Sequence, residues 1–364
     1  MIKICHMTSV HPLNDTRIFI KECKTLYRAG FDVTLIVQHT QDEVIEGIKI
    51  LSIPYPRNRK QRIIRTPQLI YQRALKLDAD IYHFHDPELC IVGLWLKKGG
   101  KKVIYDVHED LPRQILTKDW IPTSTRAIIS SAAETIEEYT ARRLDGIICA
   151  TLHITQRFQR LNHKVININN YPILQELFIP QTTWSDKESS VCFIGGIHKL
   201  RGIDQMIDAI EKTDATLLLA GVFDSASERD QSMHKAGWHK VQELGQVNRE
   251  QVRTILGKSI AGLVLYHAAP NHINAQPNKM FEYMSAGVPV IASDFPLWKE
   301  IVEDNQCGIC VNPLNVQAIA DSIKWMVTHL SEAEQMGKNG RTAVEQLYNW
   351  ENESEKLIQL YKTL

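Results

Sequence analysis

Gln276-Pro-Asn-Lys-Met-Phe-Glu-Tyr-Met-Ser-Ala-Gly-Val-Pro-Val-Ile-Ala-Ser293 is the stretch that decides the fold class. Pro277 suits the first position of a helix, and Gly287 suits the place just past its end. An apolar run at 288–292 follows at once, with the length of a buried strand. A helix feeding directly into an all-apolar strand is half of a βαβ unit. Such a strand belongs in a parallel sheet covered on both faces.

The same alternation extends outward in both directions. Apolar runs stand at 191–194, 216–220, 241–244, 261–266 and 308–311, with helical patterns at 202–212 and 249–256. Helical patterns at 316–329, 332–348 and 350–364 finish the chain. Upstream, runs stand at 2–7, 32–37, 48–53, 81–84, 103–107, 146–150 and 165–168, with helix-length segments such as 17–28 and 124–143. Only 169–190, with Pro172 and Pro180, breaks the rhythm and reads as a linker. The expected class is α/β: two doubly wound Rossmann-like domains facing a cleft. The expected boundaries are 1–169, a linker at 170–190, 191–348, and a closing helix at 349–364. Ligands of such sheets bind beyond the carboxyl ends of the strands, where strand order reverses.

A chain of 364 residues suits two domains. Zero formal net charge gives no global attraction for nucleic acid. The seven cysteines are odd in number, and most sit in apolar runs, as reduced thiols of a cytoplasmic protein do. Cys307 and Cys310 lack a second pair at zinc spacing and read as small residues near a short strand. The N-terminus lacks a signal-peptide pattern, and no run approaches the ~20 apolar residues of a membrane span.

Two segments carry candidate chemistry. In the first, Lys279 lies in the opening turn of a helix whose free N–H groups favour phosphate, and Glu282 follows one turn later. Lys279 would hold phosphate while Glu282 accepted ribose hydroxyls. A solvated Lys–Glu pair on an amphipathic helix is the plainer account. In the second, Phe193-Ile-Gly-Gly-Ile-His-Lys-Leu-Arg-Gly-Ile-Asp204, a strand runs into Gly195 and Gly196. These permit close backbone approach, and the Arg201 fork suits a diphosphate. A tight turn with a solvated arginine accounts for it equally. The segment has neither dinucleotide-fold nor P-loop spacing.

Taken in order, these pieces resemble family 4 of the retaining glycosyltransferases, of GT-B fold. Arg201-Gly202 after the glycine turn and Glu282 through Ile291 resemble the family's donor motifs. Ser9-Val-His-Pro-Leu-Asn-Asp-Thr-Arg-Ile-Phe19, His83-Phe-His-Asp-Pro87, Tyr105-Asp-Val-His-Glu109, Asn170-Tyr-Pro172 and Tyr348-Asn-Trp-Glu351 resemble a bacterial surface-polysaccharide subgroup. The resemblance implies that Arg201 and Lys279 bind the donor diphosphate and Glu282 the ribose. It implies that Gly245-Gln246-Val247 cradles the base, most often uracil, and that the final helix crosses back to the first domain. It implies that His108 lies beside the donor sugar, and that catalysis rests on diphosphate stabilisation with no metal and no cofactor. His11, Asp15 and His85 are the acceptor-side candidates, while His6 and His83 read as structural.

The family pattern has a second Glu eight positions before Glu282, where this chain has Asn274. Asn274 can still hydrogen-bond a sugar hydroxyl, without charge assistance. His272 or the loop backbone could substitute. The basic stretch Arg57-Asn-Arg-Lys-Gln-Arg-Ile-Ile-Arg65 suits either an anionic membrane surface or a solvated helix face. The reading is thus a cytoplasmic enzyme acting on a nucleotide-sugar donor and a glycan or lipid-linked acceptor, and peripheral at the inner membrane face if the basic stretch meets lipid. A nucleotide-sugar 2-epimerase and a catalytically inactive binding subunit are the alternatives.

Overall fold

The computed structural model describes residues 1–118, 120–178 and 184–364. They form two compact units, Met1–Asn170 with Asn352–Leu364, and Tyr171–Glu351.

The first unit holds strands β1 (Lys3–Met7), β2 (Asp32–Gln38), β3 (Glu43–Ile45), β4 (Ile48–Ile53), β5 (Ile81–Phe84), β6 (Lys102–Val107), β7 (Gly146–Cys149) and β8 (Val165–Asn167). Their order in the sheet is β3-β4-β2-β1-β5-β6-β7-β8. Only the β3–β4 pair is antiparallel. Strand β3 is a short edge with Val44 exposed, so it leaves no buried apolar run to read. Strand order reverses at β1, which has β2 on one side and β5 on the other.

The segment read as one helix over 17–28 opens instead as a π-helix, Thr16–Cys23, and continues as α-helix Lys24–Arg28. Asp15 starts it by accepting the backbone N–H groups of Arg17 and Ile18. The basic stretch enters a 19-residue helix, Arg59–Leu77, capped by Asn58. The last helix, Trp350–Thr363, joins the first unit from Asn352 onward and buries Leu357 and Tyr361.

The second unit holds β9 (Ser190–Ile194), β10 (Thr216–Ala220), β11 (Val241–Gly245), β12 (Ala261–Val264), β13 (Val290–Ser293) and β14 (Gly308–Val311), all parallel, in the order β11-β10-β9-β12-β13-β14. Here the order reverses at β9. Alternate side chains fill opposite faces, as strand geometry requires. Cys192, Ile194, Leu218 and Ala220 join one core, and Val191, Phe193, Leu217 and Leu219 the other.

The expected linker is shorter than read. Tyr171 and Leu177 are buried in the second unit's core, so 171–178 is part of that unit. Residues 179–183 of that stretch lie outside the described residues. All seven cysteines are free, with Cys307 buried just before β14 and Cys310 half-buried within it. Among the described residues no helix is long and apolar enough to cross a membrane.

Candidate active site

At the carboxyl end of β9 the chain turns through Gly195 and Gly196 into a short 3-10 turn, Lys199–Arg201. Gly202 follows in the left-handed region at φ 79° and starts helix Ile203–Glu211. Arg201 folds back over the turn, and its Nη1 donates to the Gly196 carbonyl at 3.0 Å. A Cβ on Gly196 would lie 2.9 Å from that Nη1, and one on Gly195 would lie 3.1 Å from Lys279 Nζ. Both cations therefore converge on this turn.

Lys279 is the second residue of helix Asn278–Ser285, whose N-cap, Pro277, makes no side-chain capping bond. That helix closes as the sequence predicts. Gly287, at φ 71°, donates to Met284 O at 3.0 Å, and Val288 donates to Tyr283 O at 2.9 Å. This is the Schellman pattern. Tyr283 Oη accepts the Ile194 N–H at 3.0 Å and ties the helix to the end of β9.

Lys279 is only 7% exposed. Its Nζ has no hydrogen-bond partner and sits 3.5 Å from the centre of the Phe193 ring. Burial, with the neighbouring Arg201, pushes its pKa well down. Arg201 Nε is likewise buried without a partner. Among the described residues no carboxylate stands within ion-pair distance of either cation. His198, next to Arg201 in this turn, is pulled down to about 4 by burial and then by Arg201.

Glu282 does not pair with Lys279, contrary to the plain surface-pair account. Arg249 Nη1 holds its Oε1 at 2.7 Å, while Arg249 Nε and Nη2 grip Glu176 at 2.6 and 2.7 Å. Val247 is half-buried against the core, between Gly245 and Asn248, the cap of helix Arg249–Lys258. Asn274 is exposed on the loop before Pro277. Trp298 anchors that loop by donating from its indole to Ala275 O at 2.7 Å. His272 is buried against Tyr266.

In the first unit, residues after β1, β5 and β6 meet at the sheet's reversal point. Asp86 Oδ2 accepts from Thr8 Oγ1 at 2.8 Å and Ser9 N at 2.6 Å, fixing the loop that carries His11. His11 Nδ1 lies 3.0 Å from Asp15 Oδ2, and its Nε2 lies 3.5 Å from Asp86 Oδ1. Burial opposes charge on His11, but the Asp15 hydrogen bond and nearby Asp86 raise its pKa overall. The His108 ring is tilted against that of His11, with ring centres 5.1 Å apart, and meets Asp106 Oδ2 at 2.8 Å.

His85, read as an acceptor-side group, is fully buried. It lies against Asp106 and His108, each at 3.2 Å. Asp106 is locked by Arg17, whose Nε and Nη2 donate at 2.8 and 2.7 Å. Sequence reading missed Arg17, Asp106 and Arg249. Arg17 and Asp106 were quoted inside motifs, but nothing in their spacing shows that they pair across 89 residues.

Comparison with known proteins bears on the family and the fold. The family described as Glycosyltransferase Family 4 matches residues 17–169, and that described as Glycosyl transferases group 1 matches residues 175–343. An uncharacterised glycosyltransferase of Methanocaldococcus jannaschii is 27% identical over 182 residues, 49% of this chain but only 45% of that protein's length. D-rhamnosyltransferase WbpZ of Pseudomonas aeruginosa is 23% identical over 291 residues, 76% of this chain and 71% of that one. The crystal structure of HepE from Anabaena with UDP-glucose superposes with a TM-score of 0.76 at 14% identity, over 100% of both chains. Two parallel-sheet Rossmann-like units, each matched by its own half of one glycosyltransferase architecture, place this chain among the family 4 glycosyltransferases of GT-B fold.

Proposed function

We propose that the chain moves a sugar from a UDP-sugar onto a glycan or lipid-linked acceptor in surface-polysaccharide assembly, with retention at the anomeric carbon. One observation carries this: two cations, Lys279 and Arg201, converge on the Gly195-Gly196 turn with buried, unpartnered donors. A buried cation without a counter-charge is costly. A diphosphate supplies that charge, and most of all as the leaving group departs. The two side chains then stabilise the transition state electrostatically, and the transfer needs no metal at the diphosphate.

Glu282, held by Arg249 through one oxygen, offers the other to ribose. The backbone at Gly245–Val247 lines the base, and the UDP-glucose held by the Anabaena protein supports uracil. Asn274 meets the donor sugar. His108, backed by Asp106 and His85, lies beside the reacting sugar, while His11 and Asp15 serve the acceptor. The test is turnover of Arg201→Ala. Losing a charged hydrogen bond of about 1.5–3 kcal/mol lowers the rate on the order of ten- to hundredfold. Normal turnover would remove Arg201 from the site.

The acceptor reading extends to the membrane. Arg57, Arg59, Lys60 and Arg65 are exposed, as are Ile63 and Ile64 between them. Arg59 stacks 3.6 Å from the ring centre of Trp120, which is itself exposed, as is Ile128. Arg62 does not contribute, because it turns back to Glu88 at 3.0 Å. Four exposed cations at about 1 kcal/mol each, with apolar side chains among them, suit reversible docking on anionic lipid at the cytoplasmic face. Flotation with anionic vesicles should weaken as salt rises and vanish when Arg59, Lys60 and Arg65 become Ser. Equal binding to neutral vesicles would refute docking and favour a soluble acceptor.

A further inference from the structure

We infer that His6, Glu22, His83 and His85 form a site in the first unit for a divalent cation of the zinc type. Strand pairing builds it. His6 on β1 stands directly opposite His83 on β5. His85 lies two residues beyond His83 and so faces the same side of the sheet. The π-helix Thr16–Cys23 brings Glu22 over these three rings. π-turns are frequent at functional positions, because the added residue re-aims a side chain.

The spacing fits a tetrahedral ion. Glu22 Oε2 is 3.9 Å from His6 Nδ1, 3.9 Å from His83 Nδ1 and 3.9 Å from His85 Nε2. His6 Nδ1 and His85 Nε2 are 3.0 Å apart. An ion with bonds of about 2.0–2.1 Å needs tetrahedral ligand atoms about 3.3–3.4 Å apart. The observed separations bracket that edge length.

Hydrogen bonding leaves the Glu22 carboxyl at the centre of this group in want of a partner. Glu22 is fully buried, and neither carboxylate oxygen makes a hydrogen bond; nor does His83 Nε2. Arg17 Nε approaches Glu22 Oε1 at 3.1 Å, but Arg17 already serves Asp106 with two bonds. A buried carboxyl with no hydrogen-bond partner is costly. Burial also keeps all three rings neutral, the form that offers a lone pair to a metal.

The surroundings match those of metal-bound histidines, whose second nitrogen meets an oxygen group. His85 Nδ1 faces Asp106 Oδ2 at 3.2 Å, and His6 Nε2 faces Tyr361 Oη at 3.4 Å. The same hydroxyl lies 2.7 Å from His83 Nδ1, the nitrogen that faces Glu22, so at His83 the ion would displace that hydrogen bond. Three nitrogens and one carboxylate suit zinc in preference to magnesium or calcium. Four buried protein ligands close the site, so the ion staples β1, β5 and the π-helix together and takes no part in the transfer.

The experiment is metal analysis of the full chain made without a histidine tag, followed by removal of metal with chelator and titration with zinc and cobalt. About one ion per chain is expected, with a zinc-dependent rise in Tm and the visible bands of tetrahedral cobalt. Tyr361→Phe should weaken zinc binding by about 10- to 100-fold, the scale for such supporting groups. Glu22→Gln should abolish the cobalt bands. If either variant fails to fold, the wild-type titration still decides. A metal-free chain whose Tm and spectrum ignore zinc and cobalt would overturn the site and leave a hydrogen-bonded histidine cluster. Cobalt bands of thiolate character would also overturn it, by moving the metal to Cys307 and Cys310.

Discussion

Replacing Lys279 with Met should make the free protein no less stable while weakening its grip on the donor. The lysine is 7% exposed, has no hydrogen bond at Nζ, and has Arg201 as a repelling neighbour. Met keeps the length and the contact with Phe193 and removes a desolvated charge. Swapping buried ions for apolar groups of similar size ranges from neutral to about 1–4 kcal/mol stabilising. In a domain of this size each kcal/mol moves Tm by about 2–4 °C. Donor binding should move the other way. One charged hydrogen bond to phosphate is worth about 1.5–3 kcal/mol, which is roughly 10- to 150-fold in Kd. Calorimetric titration with UDP, beside thermal melts of the free proteins, reads both effects. An unchanged Kd for UDP together with a Tm lowered by many degrees would show that Lys279 is a structural residue, and the anion grip would be wrong.

Gly202→Ala should lower Tm by at least about 4 °C. The position has φ 79° and a Cβ there would sit 2.1 Å from Leu265 O, so strain of about 1–3 kcal/mol adds to a backbone clash. His198 has a folded pKa of about 4, below its ordinary 6.5, so the unfolded chain binds more protons between those values. Its contribution to stability is present above pH 6.5 and is lost as pH falls toward 4, and bound diphosphate should raise its NMR titration point; a free-protein midpoint at the ordinary value would refute this. Asn274→Ala should reorder a panel of nucleotide-sugar donors, and Asn274→Glu should not simply raise activity. If neither changes donor choice, Asn274 lies outside sugar recognition.

Most of the sheet was legible because its strands are buried on both faces and read as unbroken apolar runs. Strand β3 was not, since Val44 faces solvent at an edge. The π-helix was hidden because 3.6-residue periodicity carries no mark of one extra residue per turn, yet that residue bears on the placing of Glu22. Lys279 and Arg201 were legible through local context: a helix start and a glycine turn. Arg249 was not, because its partners, Glu176 and Glu282, come from segments far from it in sequence. The joining of Glu22 to the histidines was invisible for the same reason: strand register sets His6 beside His83, but Glu22 arrives on the separate π-helix.

Transfer itself is the most direct test. The chain is incubated with a panel of nucleotide sugars labelled in the sugar, with and without a membrane-extract acceptor, and the products are separated. The account predicts that one UDP-sugar gives labelled acceptor and free UDP in equal amounts, only when acceptor is present, with the donor's anomeric configuration kept and the yield cut at least about tenfold in Arg201→Ala. Conversion of the donor sugar without any acceptor would contradict it in favour of an epimerase. Tight donor binding with no transfer to any acceptor would contradict it in favour of a binding subunit.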